Sequence, residues 1–100
     1  MGLGTSGKMF KWPNWKISFE KAAEKQFDKL SRETQAQITK YLYQRVTVQP
    51  DPRFLGKALT GQLQGYWRYH VGDHRIICQI RDKELLILVI EVGHRREVYR

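Results

Sequence analysis

One hundred residues carrying a formal net charge of +8 suit a single domain with one modest core. A hydrophobic share of 41% and an aromatic share of 12% exclude a disordered chain. The excess of Lys and Arg biases the surface toward polyanions, nucleic acid first and an acidic protein partner second.

The first fourteen residues differ in texture from the rest, and residues 1–14 are expected to be a leader, vector-derived or flexible. Gly2-Leu3-Gly4-Thr5-Ser6-Gly7 matches a dinucleotide fingerprint in form, and Met1-Gly2 with Ser6 matches a myristoylation pattern. Neither has the context it needs, since no strand precedes the glycines and no helix follows them. Met9 is an alternative start. The folded domain is expected over residues 15–100. No signal peptide precedes it and no run approaches a membrane span, so a cytoplasmic protein without membrane contact is expected.

Trp15-Lys16-Ile17-Ser18-Phe19 alternates apolar and polar residues, as a half-buried first strand does. From Glu20 the period becomes helical, with Ala23, Phe27 and Leu30 on one face. Ser31 is placed to cap a second helix whose inward residues are Ile38, Leu42 and Val46. Gln49-Pro50-Asp51-Pro52 ends it, because prolines so spaced cannot continue a helix. Arg53 to Gly65 reads as loop, with Lys57 within it. Three strands follow, at Tyr66–Val71, His74–Arg81 and Leu85–Val92, joined by Gly72-Asp73 and by Asp82-Lys83-Glu84. Cys78, the single cysteine, rules out an internal disulfide and a thiolate zinc cluster. Its strand setting predicts a buried, inert thiol. The β-α-α-β-β-β order predicts an α+β fold, an antiparallel sheet covered on one side by a two-helix hairpin.

A two-residue loop at Gly72-Asp73 pairs Val71 with His74, His70 with Arg75 and Arg68 with Ile77. Strand alternation then divides the side chains. Trp67, Tyr69, Val71, Ile76, Cys78 and Ile80 form an apolar face for the helices, with His74 packed or capping at its edge. Tyr66, Arg68, His70, Arg75, Gln79 and Arg81 form a basic face opposite the core. The last strand carries His94, Arg95, Arg96 and Tyr99 to one end of the sheet. Arg68, Arg75 and Arg95 are then placed to surround one phosphate, since a guanidinium donates two parallel hydrogen bonds and never loses its charge. Tyr66 or Tyr99 is placed to stack a base. Lys57, Tyr66, Arg81 and Arg96 are the expected RNA-binding residues around this centre. No metal-ligand set and no cofactor motif is recognised.

The segments Leu59-Thr60-Gly61, Gly65-Tyr66-Trp67-Arg68-Tyr69-His70-Val71-Gly72-Asp73-His74-Arg75-Ile76-Ile77 and Val92-Gly93-His94-Arg95-Arg96-Glu97-Val98-Tyr99 together resemble RelE-type toxins. These belong to the RelE/ParE superfamily of bacterial toxin–antitoxin systems. The similarity runs from about Trp15 to Arg100 and implies the same β-α-α-β-β-β fold. It implies a metal-independent endoribonuclease that enters the ribosomal A site and cuts mRNA by attack of a 2′-hydroxyl on the adjacent phosphate. It implies a RelB-like antitoxin as partner, with operator DNA reached only through that antitoxin.

In this resemblance Arg75 stands for the arginine that stabilises the phosphate in the transition state. Arg95 stands for the arginine after the last strand, and Tyr99 for the tyrosine that stacks on the base or aids proton transfer. Arg68 and His70 occupy the region where relatives carry a lysine pair, and the shorter hairpin shifts the alignment by one residue. The general base is therefore open between His70 and His94. The alternatives are the ParE branch, which poisons DNA gyrase on the same fold, and a non-catalytic module binding RNA or peptide.

Overall fold

The computed structural model describes residues 15–94. Strand β1 (Lys16–Phe19) leads into helix α1 (Lys21–Asp28) and helix α2 (Arg32–Tyr41). Ser31 caps α2 as its sequence position suggested: its hydroxyl accepts from the Thr34 N–H at 3.1 Å, a bond worth about 1 kcal/mol. The two helices are tied by Gln35, whose side-chain amide donates to the carbonyls of Phe27 and Leu30. The Phe27 carbonyl lies in the last turn of α1, where helix carbonyls lack an intrahelical donor, and it also accepts from the Leu30 N–H at 3.0 Å. The helix does not stop at Tyr41. It widens into a π turn over Leu42–Val46, closed by the Thr47 N–H on the Leu42 carbonyl at 3.0 Å.

The stretch expected to be plain loop is more ordered than its glycines suggest. It contains a 3-10 turn at Pro52–Leu55, a two-residue strand β2 (Lys57–Ala58) and a second 3-10 turn at Gly61–Leu63. Asp51 caps the first of these by accepting from the Arg53 N–H. Strands β3 (Trp67–Val71), β4 (His74–Arg81) and β5 (Leu86–His94) complete the fold. Boundaries of β3 and β5 shift from the sequence reading. Tyr66 precedes β3, and β5 starts one residue later and runs on through His94. Its late start has a local cause: Leu85 adopts left-handed backbone angles (φ 51°, ψ 47°) as it leaves the 82–84 turn, at about 1 kcal/mol for a residue with a Cβ.

The sheet order is β1-β5-β4-β3-β2. All neighbours are antiparallel except β1, which runs parallel to β5 at the outer edge. The β3–β4 register is the one the turn dictated, with Val71 opposite His74, His70 opposite Arg75 and Arg68 opposite Ile77. Gly72 takes φ +60° at the first loop position, which glycine adopts without steric cost. Ala23 of α1 and Ile38, Leu42 and Val46 of the second helical segment pack on Tyr69, Ile76, Cys78, Ile87, Val89 and Val92. This is the helix-covered face.

Candidate functional site

The other face of the sheet is read by carrying the register across four strands. One row runs Lys57, Arg68, Ile77, Glu91 and the next runs His70, Arg75, Gly93. Cross-strand partners share a face, with Cβ atoms about 5 Å apart. Between Ile77 and Cys78 the pairing steps from Glu91 to Val89, so Ile90 is the extra residue of a bulge beside the first row. Bulges of this kind re-aim side chains next to sites.

The face opposite the core was expected to be an open basic surface. Its centre is instead closed off: Arg75 retains 5% of its accessible surface and Ile77 1%. Arg68 is half-buried and His70 exposed, so accessibility rises from Arg75 outward toward β3. Burial places the Arg75 guanidinium in a region of reduced dielectric, where its hydrogen bonds to a ligand are strengthened. Glu91 escaped the sequence reading. It is the one carboxylate among the described positions of this face on β3, β4 and β5, and extending the β3–β4 register by one strand finds it.

The structure does not gather all the expected residues. Lys57 does lie beside the cluster, exposed and opposite Arg68. Tyr66, half-buried, closes the preceding loop, accepting from Leu59 and donating to Leu63 through its backbone. Arg81 sits six residues from Arg75 along β4, about 20 Å at strand rise. It donates to Gln79 and lies 3.6 Å from Glu84. His94 is paired with His74, ring centroids 5.7 Å apart. Alternation from Gly93 puts it on the opposite face from Arg75. Arg95, Arg96 and Tyr99 lie outside the described residues, as do residues 1–14, where a leader was expected.

Two structural devices hold β3, the strand that carries Arg68 and His70. Tyr69, between them in sequence, points into the core, and its hydroxyl donates to the Pro52 carbonyl at 2.6 Å. Burial raises the Tyr69 hydroxyl pKa above its ordinary value, and the neighbouring Cys78 adds to this. Cys78 itself is raised by complete burial, in keeping with an inert thiol. Arg53 donates to Asp51 and to both carboxylate oxygens of Asp82, with its guanidinium 5.8 Å from the Trp67 ring centre. Hydrogen bonding to Asp82 raises the Arg53 pKa and lowers that of Asp82. Arg53 therefore clamps the 51–55 turn to the 82–84 turn.

A groove of about 400 Å³ adjoins the cluster where α2 and its π turn face the end of β3. Gln37, Lys40, Tyr41, Gln44, Arg45, His70, Val71 and Gly72 line it. The Arg45 guanidinium lies 5.8 Å from the Tyr41 ring centre. Burial raises the Tyr41 hydroxyl pKa and Arg45 opposes the rise. On sequence grounds the lysines of the helical hairpin read as a solvated charged face, with substrate binding as the alternative. Among the described residues no three His, Cys, Asp or Glu side chains gather to hold a metal ion, and no helix is long and apolar enough to cross a membrane.

Residues 17–99 match the family model of the ParE toxin of type II toxin-antitoxin systems, parDE. No match is found among curated proteins. The fold is similar to that in the RelBE2 toxin-antitoxin complex from Mycobacterium tuberculosis, at 22% identity and TM-score 0.74, covering 82% of this chain and 92% of that one. It is also similar to the isolated E. coli RelE toxin, at 23% identity and TM-score 0.65, covering 80% and 83%. For the archaeal RelE-RelB complex from Pyrococcus horikoshii the values are 20%, 0.63, 83% and 97%. At such identities the structures establish the shared α+β fold, and the family model, which spans most of the chain, establishes descent. The chain belongs to the ParE toxin family of type II toxin–antitoxin systems, within the RelE/ParE superfamily.

Proposed function

We propose that this toxin is a ribosome-dependent endoribonuclease that cleaves mRNA in the A site. The observation that carries the reading is the buried Arg75 with His70 directly across the strand pair and Arg68 in the adjoining row. In the proposed step a base removes the 2′-hydroxyl proton, the 2′-oxygen bonds to the adjacent phosphorus, and the 5′-oxygen of the next nucleotide leaves with a proton. Arg75 and Arg68 stabilise the charge that develops on the phosphorane oxygens, the contribution that usually dominates such catalysis. His70 is the favoured proton carrier, because it shares the face of Arg75 and an imidazole can both accept and donate a proton. Arg95 and Tyr99 keep the roles that the family resemblance gives them, as phosphate ligand and base-stacking or proton-relay residue.

The partner we propose is an antitoxin, supported by the RelB-type complexes in which similar folds occur. Operator DNA would be reached only through it. The decisive experiment is primer extension on a reporter mRNA in a cell-free translation reaction, comparing the chain with Arg75→Ala. Ribosome-dependent cuts that fall by about 10²-fold in the variant are expected. A loss below about threefold would falsify the assignment of Arg75 to the transition state.

One observation favours a second reading, the match to a family model described by its ParE members. On that reading the chain poisons DNA gyrase and cuts no RNA. A supercoiling assay inhibited equally by the chain and by Arg75→Ala, with mRNA left intact, would select it.

A further inference from the structure

The groove beside β3 carries three side chains able to bear positive charge, Lys40, Arg45 and His70, and no carboxylate lines it. Lys40 and Arg45 are five residues apart, a spacing that points away from a common face in a regular α-helix. The π turn over Leu42–Val46 intervenes between them and widens the helix, swinging Arg45 back toward the groove. Such turns are a recurrent feature of functional sites. Arg45 is also braced, since the Tyr41 ring beneath it meets the buried Tyr69 ring edge-on at 6.3 Å. A stacked guanidinium keeps its donor edges for a ligand and loses little freedom in making the contact.

His70 belongs both to the groove and to the strand pair that holds Arg75. The groove therefore meets the strand pair of the proposed reaction centre at His70. Its volume suits a nucleotide-sized group. Gln37 and Gln44 add side-chain amides able to meet ribose or base polar atoms.

We infer that the α2–β3 groove is a docking channel for the sugar-phosphate backbone of the RNA strand flanking the cleaved bond, with Lys40 and Arg45 as phosphate ligands. This rests on the ribonuclease reading and adds to it a binding subsite on the helical layer.

The test is binding of a fluorescent 2′-O-methyl RNA of about ten nucleotides, which spans a typical single-strand site. Having no free 2′-hydroxyl, it is bound without being cut. Lys40→Gln/Arg45→Gln is compared with Lys25→Gln/Lys29→Gln, which removes the same charge from exposed positions on α1 and at its C-cap. Each lost phosphate contact lowers the salt dependence of single-strand binding by about 0.7 in log–log slope. The groove variant is expected to lose about 1.4 in slope and roughly tenfold in affinity at low salt, with the α1 variant close to the parent. Equal losses in both variants mean diffuse attraction and overturn the proposal, as does no loss in either. An acidic partner is probed with a polyglutamate peptide. If the groove variant loses that peptide and keeps RNA, the channel is a peptide site and the proposal falls. Failure of the ribonuclease reading is separate: intact mRNA in the translation assay, with groove-dependent binding of the oligonucleotide, leaves a binding toxin without cleavage.

Discussion

Replacing Tyr69 with phenylalanine removes one oxygen from the centre of the molecule and leaves the ring to pack as before. The lost hydroxyl is the hydrogen-bond partner of the Pro52 carbonyl, and both residues are buried. A typical hydrogen bond contributes about 1 kcal/mol net, and a buried acceptor left without a donor costs about 1–3 kcal/mol. No cavity larger than the oxygen forms, because the ring stays fixed between Tyr41 and Gly56. The expected loss is therefore about 2 kcal/mol. For a domain of this size it corresponds to a fall in Tm of roughly 8–16 °C. Urea denaturation followed by circular dichroism, with the thermal midpoint as a second reading, measures it. The midpoint should move while the slope stays constant, as the surface exposed on unfolding is unchanged. A loss under about 0.5 kcal/mol would show that water replaces the hydroxyl and that the 52–55 turn does not depend on this bond.

Other outcomes are expected along the same lines. Gly56→Ala places a Cβ 3.1 Å from the Tyr69 ring and should cost about 1–3 kcal/mol in the same denaturation assay. Parent-like stability would mean the 56–58 segment shifts freely. Gln26→Ala removes the side-chain oxygen that accepts from the Val92 N–H at 2.8 Å. A loss of about 1–2 kcal/mol is expected, with faster amide exchange at Val92. At alkaline pH the Tyr69 hydroxyl and Cys78 thiol are both raised by burial. An acid whose folded pKa is raised stabilises the fold below its unfolded pKa and loses that contribution as pH rises beyond it. Stability should therefore fall from about pH 8.5 upward. Cys78→Ala should flatten the onset and Tyr69→Phe the part above about pH 10, and a pH-independent midpoint would contradict both assignments.

The hairpin was legible to the residue because Gly72-Asp73 allows one short loop, and the loop fixes every pair behind it. The helices were legible from their period and from Ser31. Strand β2 was not: two residues between glycines have no period to read. The burial of Arg75 was hidden for a different reason. Alternation assigns a side chain to a face but says nothing about what covers that face. Nothing in the sequence marks Lys40 and Arg45 as a pair, since only the π turn and the proximity of β3 bring them together. The bonds of Gln26 and Gln35 were invisible as well, because a glutamine on a helix carries no mark of the distant backbone group it will meet.

The bond from Gln26 also bears on how the molecule behaves at high concentration. Strand β1 covers β5 only from Leu86 to Val89, so the outer rim of β5 beyond that point has no neighbouring strand from β1. Among the described residues no strand pairs with it there, and an unpaired strand edge templates edge-to-edge pairing between molecules. Gln26 occupies the Val92 N–H from the side of α1, and the Ile90 bulge breaks the regular spacing a newcomer strand would need. A helix side chain and one supernumerary residue thus act as a stopper against self-association. Loss of Gln26 should accordingly be seen in light scattering at concentrations where the folded fraction is still complete.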